Sequence, residues 1–266
     1  MKLNNITFEA GVTIGDWETR PKTGATASKS DASDGDYFQA LSGAIYRYSD
    51  DIGEWVRPFI YDGTPVLDVR IQGSVLPENE SPAWTVTTSD ATITTDGTRV
   101  TFNRKTSTWG YGHIYYDHEQ TQKSHFFQGY IEHDDGNYHS SEGFAIKDGI
   151  RNGWLILDIG SNSGRLRIYG DQTVGERNAI VNLEGRERYI EFYMAASGSH
   201  KGVYLYVDHE EFPSNSMMYE TLYTHGQYGD NINTAVPSGS IYFVGSRSTR
   251  SNNAKIILRE CFWGRY

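Results

Sequence analysis

The chain alternates apolar and polar residues with a period of two along most of its length. The segments RYIEFYMAAS and GVYLYVDHE show it most clearly. Strict alternation over about four to eight residues predicts a β-strand with one face in an apolar core. Turn-forming runs such as DDGNYHSSEG and AASGSHKG separate these segments, and no helical stripe interrupts them. The pattern therefore predicts an all-β protein, with an antiparallel β-sandwich over residues 66–266.

The same periodicity assigns a set of apolar residues to the inner face of the sandwich. A slip of one residue would exchange the two faces of a strand, so the set is a definite statement about register. The residues predicted to face inward are Phe102, Phe127, Ile131, Leu166, Ile168, Ile190, Phe192, Leu205, Val207, Phe243 and Leu258.

Composition limits the classes of function. The net charge of −10 argues against a nucleic-acid partner, which selects a surplus of Lys and Arg, but is no obstacle to a neutral glycan. The single cysteine, Cys261, leaves no intrachain disulfide. No segment approaches the run of about 20 apolar residues that crosses a bilayer, so no membrane insertion is expected.

The order of strands from FFQGYIEHDD to AKIILRECFW resembles the concanavalin A-like lectin and glucanase jelly roll, the laminin-G type included. The pair RYIEFYM and GVYLYVDHE is similar to that family's hairpin with an Asp-Gly turn, with His209 where glycine is usual. YFVGSRS is similar to a turn before its closing strand. The resemblance implies a fold more than an activity.

Residues 1–65 are expected to form a separate small module. The stretch GDYFQALSGAIYRYSDDIGEWVRP predicts two short strands folded back on each other and closed by Trp55. An isolated hairpin is marginal in water, so the module needs a packing partner, either a neighbouring subunit or the sandwich edge through Trp55 and Ile60. It resembles hairpin modules of phage tail and virion proteins at Gly35, Asp36, Tyr37, Gly43, Tyr46, Tyr48 and Trp55.

That resemblance implies a location and partners. Residues 1–30 contain no apolar run typical of a secretion signal, which fits a virion protein assembled in the host cytoplasm. We expect a non-enzymatic phage virion protein of tail or head fibre type, homo-oligomeric and in contact with other virion subunits. Its jelly roll would bind carbohydrate on the host surface. A purely structural decoration protein is an alternative.

Carbohydrate binding requires aromatic rings that stack on sugar C–H faces and polar groups that bond hydroxyls. The segments STWGYGH, DDGNYHSS and YTHGQYGDNIN combine both. Loops and strand ends on a rigid sandwich are where ligand contacts concentrate. The predicted carbohydrate-binding residues are Trp109, Tyr111, His113, Tyr115, Tyr138, His225, Gln227 and Tyr228.

A glycoside hydrolase of the same fold is one enzymatic alternative. It needs two carboxylates, about 5–5.5 Å apart in a retaining enzyme. The nearest approaches are Glu132 with Asp134 and Asp208 with Glu210, and both pairs lie where a strand enters a turn. Solvated acids are usual at such places, so no catalytic residue is assigned.

A polysaccharide lyase is the other enzymatic alternative. It needs a His or Tyr base, a Tyr acid and an Arg or Gln that neutralises the uronate. Tyr111, His113 and Tyr115 share one face of a predicted strand, an arrangement that a lyase could use. The R-x-E-x-R and Q-I-H motifs of the lyases are missing from the chain.

One loop offers oxygen ligands for a metal. Ca²⁺ takes carboxylate and amide oxygens on tight loops, and Asp134, Asp135 and Asn137 supply them. Acidic turns without a metal are commoner, so no cofactor is expected, with Ca²⁺ at this loop as the alternative.

Overall fold

A computed structural model gives the fold of the chain. It describes residues 12–15, 32–41, 44–57, 65–89, 91–104, 111–117, 125–134, 140–147, 154–160, 165–169, 176–180, 186–195, 202–211, 241–248 and 255–266. The chain divides into two compact units, Met1–Leu67 together with Tyr266, and Asp68–Arg265.

The described elements are β-strands, apart from a short 3-10 helix at Pro77–Asn79. In chain order the strands are β1 (Val12–Gly15), β2 (Tyr37–Ala40), β3 (Ile45–Ser49), β4 (Glu54–Val56), β5 (Val66–Ile71), β6 (Thr85–Ser89), β7 (Ala91–Thr95), β8 (Val100–Arg104), β9 (Tyr111–Asp117), β10 (His125–Asp134), β11 (Ser140–Lys147), β12 (Trp154–Gly160), β13 (Arg165–Tyr169), β14 (Glu176–Ile180), β15 (Arg188–Ala195), β16 (Gly202–Val207), β17 (Glu210–Glu211), β18 (Ile241–Ser248) and β19 (Lys255–Arg265). Among the described residues, no helix is long and apolar enough to cross a bilayer.

The first unit contains a small sheet, sheet A, with its own aromatic core. Its order is β1-β2-β3-β4, with β1 parallel to β2 and the other pairs antiparallel. The buried Trp55 ring lies 5.7 Å from Phe38 and 5.3 Å from Tyr48, measured between ring centroids. The guanidinium of Arg57 covers the Tyr46 ring and donates to its hydroxyl at 3.0 Å. Aromatic contacts thus supply the core that a hairpin alone lacks.

The second unit is the antiparallel β-sandwich that the alternation predicts. Sheet B has the order β17-β16-β15-β10-β19-β8-β7, with β5 also paired to β19. Sheet C has the order β14-β13-β12-β11-β18-β9-β6. Strands distant in sequence, such as β10 and β19, are neighbours in sheet B, as jelly-roll crossovers require. The predicted fold class is confirmed.

The predicted register is confirmed on sheet B by ring contacts as well as burial, because Phe127, the register partner of Phe192, contacts Trp263, and Trp263 contacts Trp84 next to β6 of sheet C. The buried members of the set are Phe102, Phe127, Ile131, Ile190, Phe192, Val207 and Leu258. One prediction is wrong. Phe243 pairs in register with Tyr115, whereas Val244 pairs with the buried Ile114, so Val244 and not Phe243 takes the inward position. Strand β18 has apolar residues at both parities (IYFV), and therefore its periodicity could not choose a face.

The central strands of sheet B are buried on their second face as well, although alternation predicts strands buried on one face only. This second face is rich in aromatic residues, which exclude water from the polar groups among them. Its buried residues are Phe126, Gln128, Tyr130, Tyr189, Glu191, Tyr193, Tyr206 and Phe262.

Candidate functional site

A chain of aromatic contacts between the two sheets fixes the orientation of β9. The ring of Trp84, the residue before β6, lies 6.3 Å from Tyr116 of β9 and 4.9 Å from Trp263 of β19. The Trp263 ring in turn lies 4.8 Å from Phe127 of β10. Tyr116 and the buried Ile114 have the same parity on β9. Their face of sheet C is therefore the inner one.

The opposite parity defines the outward face of sheet C. Successive residues of a strand alternate between its faces, so Tyr111, His113 and Tyr115 occupy outward positions. Strand β6 agrees, because Thr85, in register with Tyr115, is exposed, whereas Val86, in register with Ile114, is half-buried.

Register carries these three positions across the sheet as three parallel rows. We call them the arginine row, the glycine row and the aromatic row. The arginine row comprises Tyr111, Arg247, Ser141, Gly160 and Arg165. The glycine row comprises His113, Gly245, Gly143, Asp158 and Arg167. The aromatic row comprises Tyr115, Phe243, Ala145, Ile156 and Tyr169.

The composition of the rows has a chemical meaning. Glycine inside a strand weakens it and often marks a site where a ligand approaches the backbone closely. Gly245 and Gly143 are register neighbours at the middle of the sheet, between His113 on one side and Asp158 on the other. The two polar positions lie three strand spacings apart, about 14 Å. The middle of the outward face therefore has two glycines, which lack side chains. The arginine row lies on one side of them and the aromatic row on the other.

The predicted carbohydrate-binding residues fall into two groups. Tyr111, His113 and Tyr115 lie together on β9, on one face as the sequence predicted. The remaining predicted residues lie outside the described residues: Trp109, Tyr138, His225, Gln227 and Tyr228.

Sequence reasoning did not find the partners that register brings beside β9. Gly245 and Arg247 come from β18, and Gly143 and Asp158 from β11 and β12. A glycine within an alternating strand segment was the available signal for two of them. Their common row could not be found, because pairing between strands distant in sequence is not a local property.

The predicted calcium ligands are described only in part. Asp134 ends β10 opposite Lys255 of β19, while Asp135 and Asn137 lie outside the described residues. No group of His, Cys, Asp and Glu in the described part of the chain could hold a metal ion. The calcium site stays a prediction.

The acids considered for hydrolysis lie on strands of sheet B or in the turn between β16 and β17, not on the outward face of sheet C. Glu132 forms an ion pair with Arg99 at 3.7 Å. Asp208 forms an ion pair with Arg188 at 2.5 Å and accepts a hydrogen bond from the backbone N–H of Tyr189 at 3.0 Å. These contacts give both acids structural roles.

Sheet B also holds a buried polar cluster that the sequence did not indicate. The Gln128 amide donates to the Tyr189 hydroxyl at 3.0 Å, and the Tyr193 hydroxyl donates to the Glu191 carboxylate at 3.1 Å. All four residues are buried, which leaves them no access to a glycan. Burial also raises the pKa of the Cys261 thiol, so a thiolate nucleophile is disfavoured.

Comparison with known proteins identifies the fold. No protein-family model and no curated protein matches the chain. Among solved structures, the catalytic domain of an endo-1,3-beta-glucanase (laminarinase) from Thermotoga petrophila RKU-1 matches with a TM-score of 0.52 and 5% identity, covering 76% of this chain and 98% of that chain. The endo-1,3-beta-glucanase from Streptomyces sioyaensis matches with a TM-score of 0.51 and 9% identity, covering 77% of this chain and 98% of that chain. Lectin I-B4 from Griffonia simplicifolia, in its metal-free form, matches with a TM-score of 0.47 and 9% identity, covering 75% of this chain and 100% of that chain.

The second unit therefore has the concanavalin A-like β-sandwich fold that the sequence resembles. At these identities the similarity shows the fold alone, and function has to be argued from the residues of this chain.

Proposed function

We propose that the protein binds carbohydrate on the outward face of sheet C. The observation that supports the proposal is the three-row arrangement, in which Gly245 and Gly143 lie between the aromatic row and the arginine row. A sugar ring needs an aromatic platform for its C–H face and hydrogen-bonding groups for its hydroxyls. The aromatic row offers Tyr115 and Tyr169, and the glycine row offers His113 and Asp158.

Binding without cleavage is the better supported form of this proposal. A glycoside hydrolase needs two carboxylates that flank one bond. The register neighbours of Asp158 are Gly143 and Arg167, and its neighbours on the same face of β12 are Ile156 and Gly160. Within the described residues of this face, Asp158 thus has no acidic neighbour.

The proposal is tested by substitutions on β9. Screening the full chain on a glycan array identifies a ligand, and calorimetry then compares Tyr115→Ala and His113→Ala with the wild type. We expect Tyr115→Ala to weaken binding by about 1–3 kcal/mol, the contribution of an aromatic platform. Tyr37→Ala in sheet A, a half-buried tyrosine of the first unit, is the matched control. Unchanged affinity in both β9 variants, with melting temperatures preserved, would contradict the proposal.

The wild-type protein and the ligand found on the array also distinguish binding from cleavage of the glycan. Prolonged incubation with the bound polysaccharide should give neither new reducing ends nor absorbance from unsaturated uronates. New reducing ends would favour a hydrolase. Unsaturated uronates would favour a lyase that uses Tyr111, His113 and Tyr115. Arg247, the register neighbour of Tyr111, would then lie beside them.

We also propose that the protein belongs to a phage virion and that its first unit contacts other virion subunits. Sequence resemblance of the residue 35–58 stretch to virion modules supports this part of the proposal. The host-surface glycan would then be the ligand of sheet C. Mass spectrometry of purified virions tests the location, and absence of the chain from particles whose genome encodes it would contradict it.

A further inference from the structure

The arginine row adds a feature that a neutral sugar does not require. Arg247 and Arg165 occupy outward positions in the same row, separated by Ser141 and Gly160. Across three strand spacings their Cα atoms lie about 14 Å apart. Serine and glycine are among the smallest residues, so the row has two cationic residues with little bulk between them. Tyr111 completes it beside Arg247.

The charge of this row is not balanced within the row. In the glycine row, Arg167 has Asp158 as its register neighbour, so a cation and an anion are adjacent there. Among its described positions the arginine row contains Arg247 and Arg165 but no acid, and Asp158 in the next row has two arginine neighbours, Arg167 in register and Arg165 on the diagonal. The whole chain carries a net charge of −10, which repels polyanions in general. A local cationic row is therefore the place where such a polymer could be recognised.

We propose that the outward face of sheet C recognises an acidic polysaccharide, with Arg247 and Arg165 binding its anionic groups. This inference rests on the proposed carbohydrate binding and names the class of glycan. Arginine presents a planar fork of N–H donors that matches carboxylate or sulfate oxygens, which lysine does not. Anionic groups repeated along a polymer suit two arginines in one row, while the sugar rings lie toward the glycine and aromatic rows.

The test compares one polymer with and without its charge. Binding of the full chain to polygalacturonate, to the same polymer after carboxyl reduction and to a sulfated galactan is measured by affinity electrophoresis. We expect Arg247→Gln and Arg165→Gln each to weaken polygalacturonate or sulfated-galactan binding roughly tenfold, the effect of losing a charged hydrogen bond. The Lys variants should lose less, because they keep the charge. Arg186→Gln, at an exposed arginine before β15 of sheet B, is matched in charge and should bind like the wild type.

The outcomes separate this inference from the proposed function. Equal wild-type binding to charged and reduced polymers, with unchanged Gln variants, would overturn the acidic-glycan inference and leave carbohydrate binding intact. An equal loss in Arg186→Gln would also overturn it, because general charge would then explain the effect. Failure to bind any polymer or array glycan would contradict the proposed function itself. Arginine-dependent binding to only one charged polymer supports the inference and identifies the anionic group.

Discussion

The pairing of β10 with β19 at the centre of sheet B requires a glycine at position 129. The register between β10 and β19 shifts between Gln128 and Tyr130, where β19 accommodates a bulge. A Cβ atom at Gly129 would lie 2.5 Å from the Cys261 sulfur and 2.6 Å from its Cα. Glu260, the residue before Cys261 in β19, has a φ of 50°, in the left-handed region that non-glycine residues rarely adopt. The bulge therefore depends on a missing side chain.

We predict that Gly129→Ala destabilises the sandwich far more than Gly97→Ala. Both glycines have positive φ, but a Cβ at Gly97 would meet no atom within 4 Å. Gly97→Ala should cost about 1–2 kcal/mol for backbone strain alone. Gly129→Ala should cost a further 1–3 kcal/mol, roughly, for overpacking against Cys261. Urea unfolding followed by tryptophan fluorescence measures both, and equal losses would contradict the overpacking argument.

Glu80 makes the stability of the folded chain depend on pH. Burial raises the pKa of Glu80, although its carboxylate accepts a hydrogen bond from the Gln72 backbone N–H at 2.6 Å and lies near Arg70. Because the folded pKa lies above the unfolded one, ionisation of Glu80 lowers stability as the pH rises through the folded pKa.

Glu80→Gln should therefore be more stable than the wild type at neutral pH. The amide oxygen keeps an acceptor for Gln72, and no buried charge remains. The advantage should shrink as the pH falls and should disappear below the ordinary carboxyl pKa of 4.5, where Glu80 is protonated in both the folded and the unfolded wild type. Thermal melts between these pH values measure the difference. A difference that grows on acidification would contradict the assignment.

At the scale of elements, the β16–β17 hairpin shows the cost of an unusual turn residue. Asp208 and His209 have φ values of 49° and 72°, the two positive angles of a type I′ turn, for which Asp-Gly is favoured. The His209 ring stacks on Tyr189 at 4.7 Å. Ring stacking offsets part of the strain that an L-residue has in this conformation.

Two substitutions separate strain from stacking in this hairpin. His209→Gly removes both, so its unfolding free energy should stay within about 1 kcal/mol of the wild type. His209→Ala loses the ring and keeps the strain, so it should be less stable than the glycine variant by about 1 kcal/mol. Denaturant unfolding of the pair measures this order. An alanine variant as stable as the glycine variant would show that the turn is not strained.

Sequence and structure agree where the information is local to a strand. The parity of β9 could be predicted because Ile114 alternates with His113 and Tyr115 within a few residues. The inward position of β18 could not, because both parities of that strand are apolar and only its pairing with β9 distinguishes Val244 from Phe243. The three rows depend on such pairings throughout, and alternation contains no information about them.

At the scale of the whole molecule, the two compact units differ in what their sequences predict. Met1–Leu67 contains a small sheet around Trp55, and Asp68–Arg265 contains the sandwich. The small sheet buries its aromatic core but leaves the apolar side chains of Ile14 and Leu41 exposed, and we expect a second copy of the chain to cover them. The association state therefore belongs with the first unit in this account, and glycan binding with the second.

We predict that the full chain self-associates and that a chain of residues 68–265 remains monomeric. Size-exclusion chromatography with light scattering measures both masses, and retained glycan binding in the shorter chain is the control for its folding. Monomeric behaviour of both chains at the same concentration would contradict the proposed role of the first unit.

The central claim is that glycan lies on the outward face of sheet C. A crystal structure of the full chain with the oligosaccharide that it binds most tightly tests this directly. We predict that the sugar lies over Gly245 and Gly143, between the arginine and aromatic rows, with its anionic group at Arg247 or Arg165. A sugar bound to sheet B or to the first unit, with sheet C unoccupied, would contradict the account.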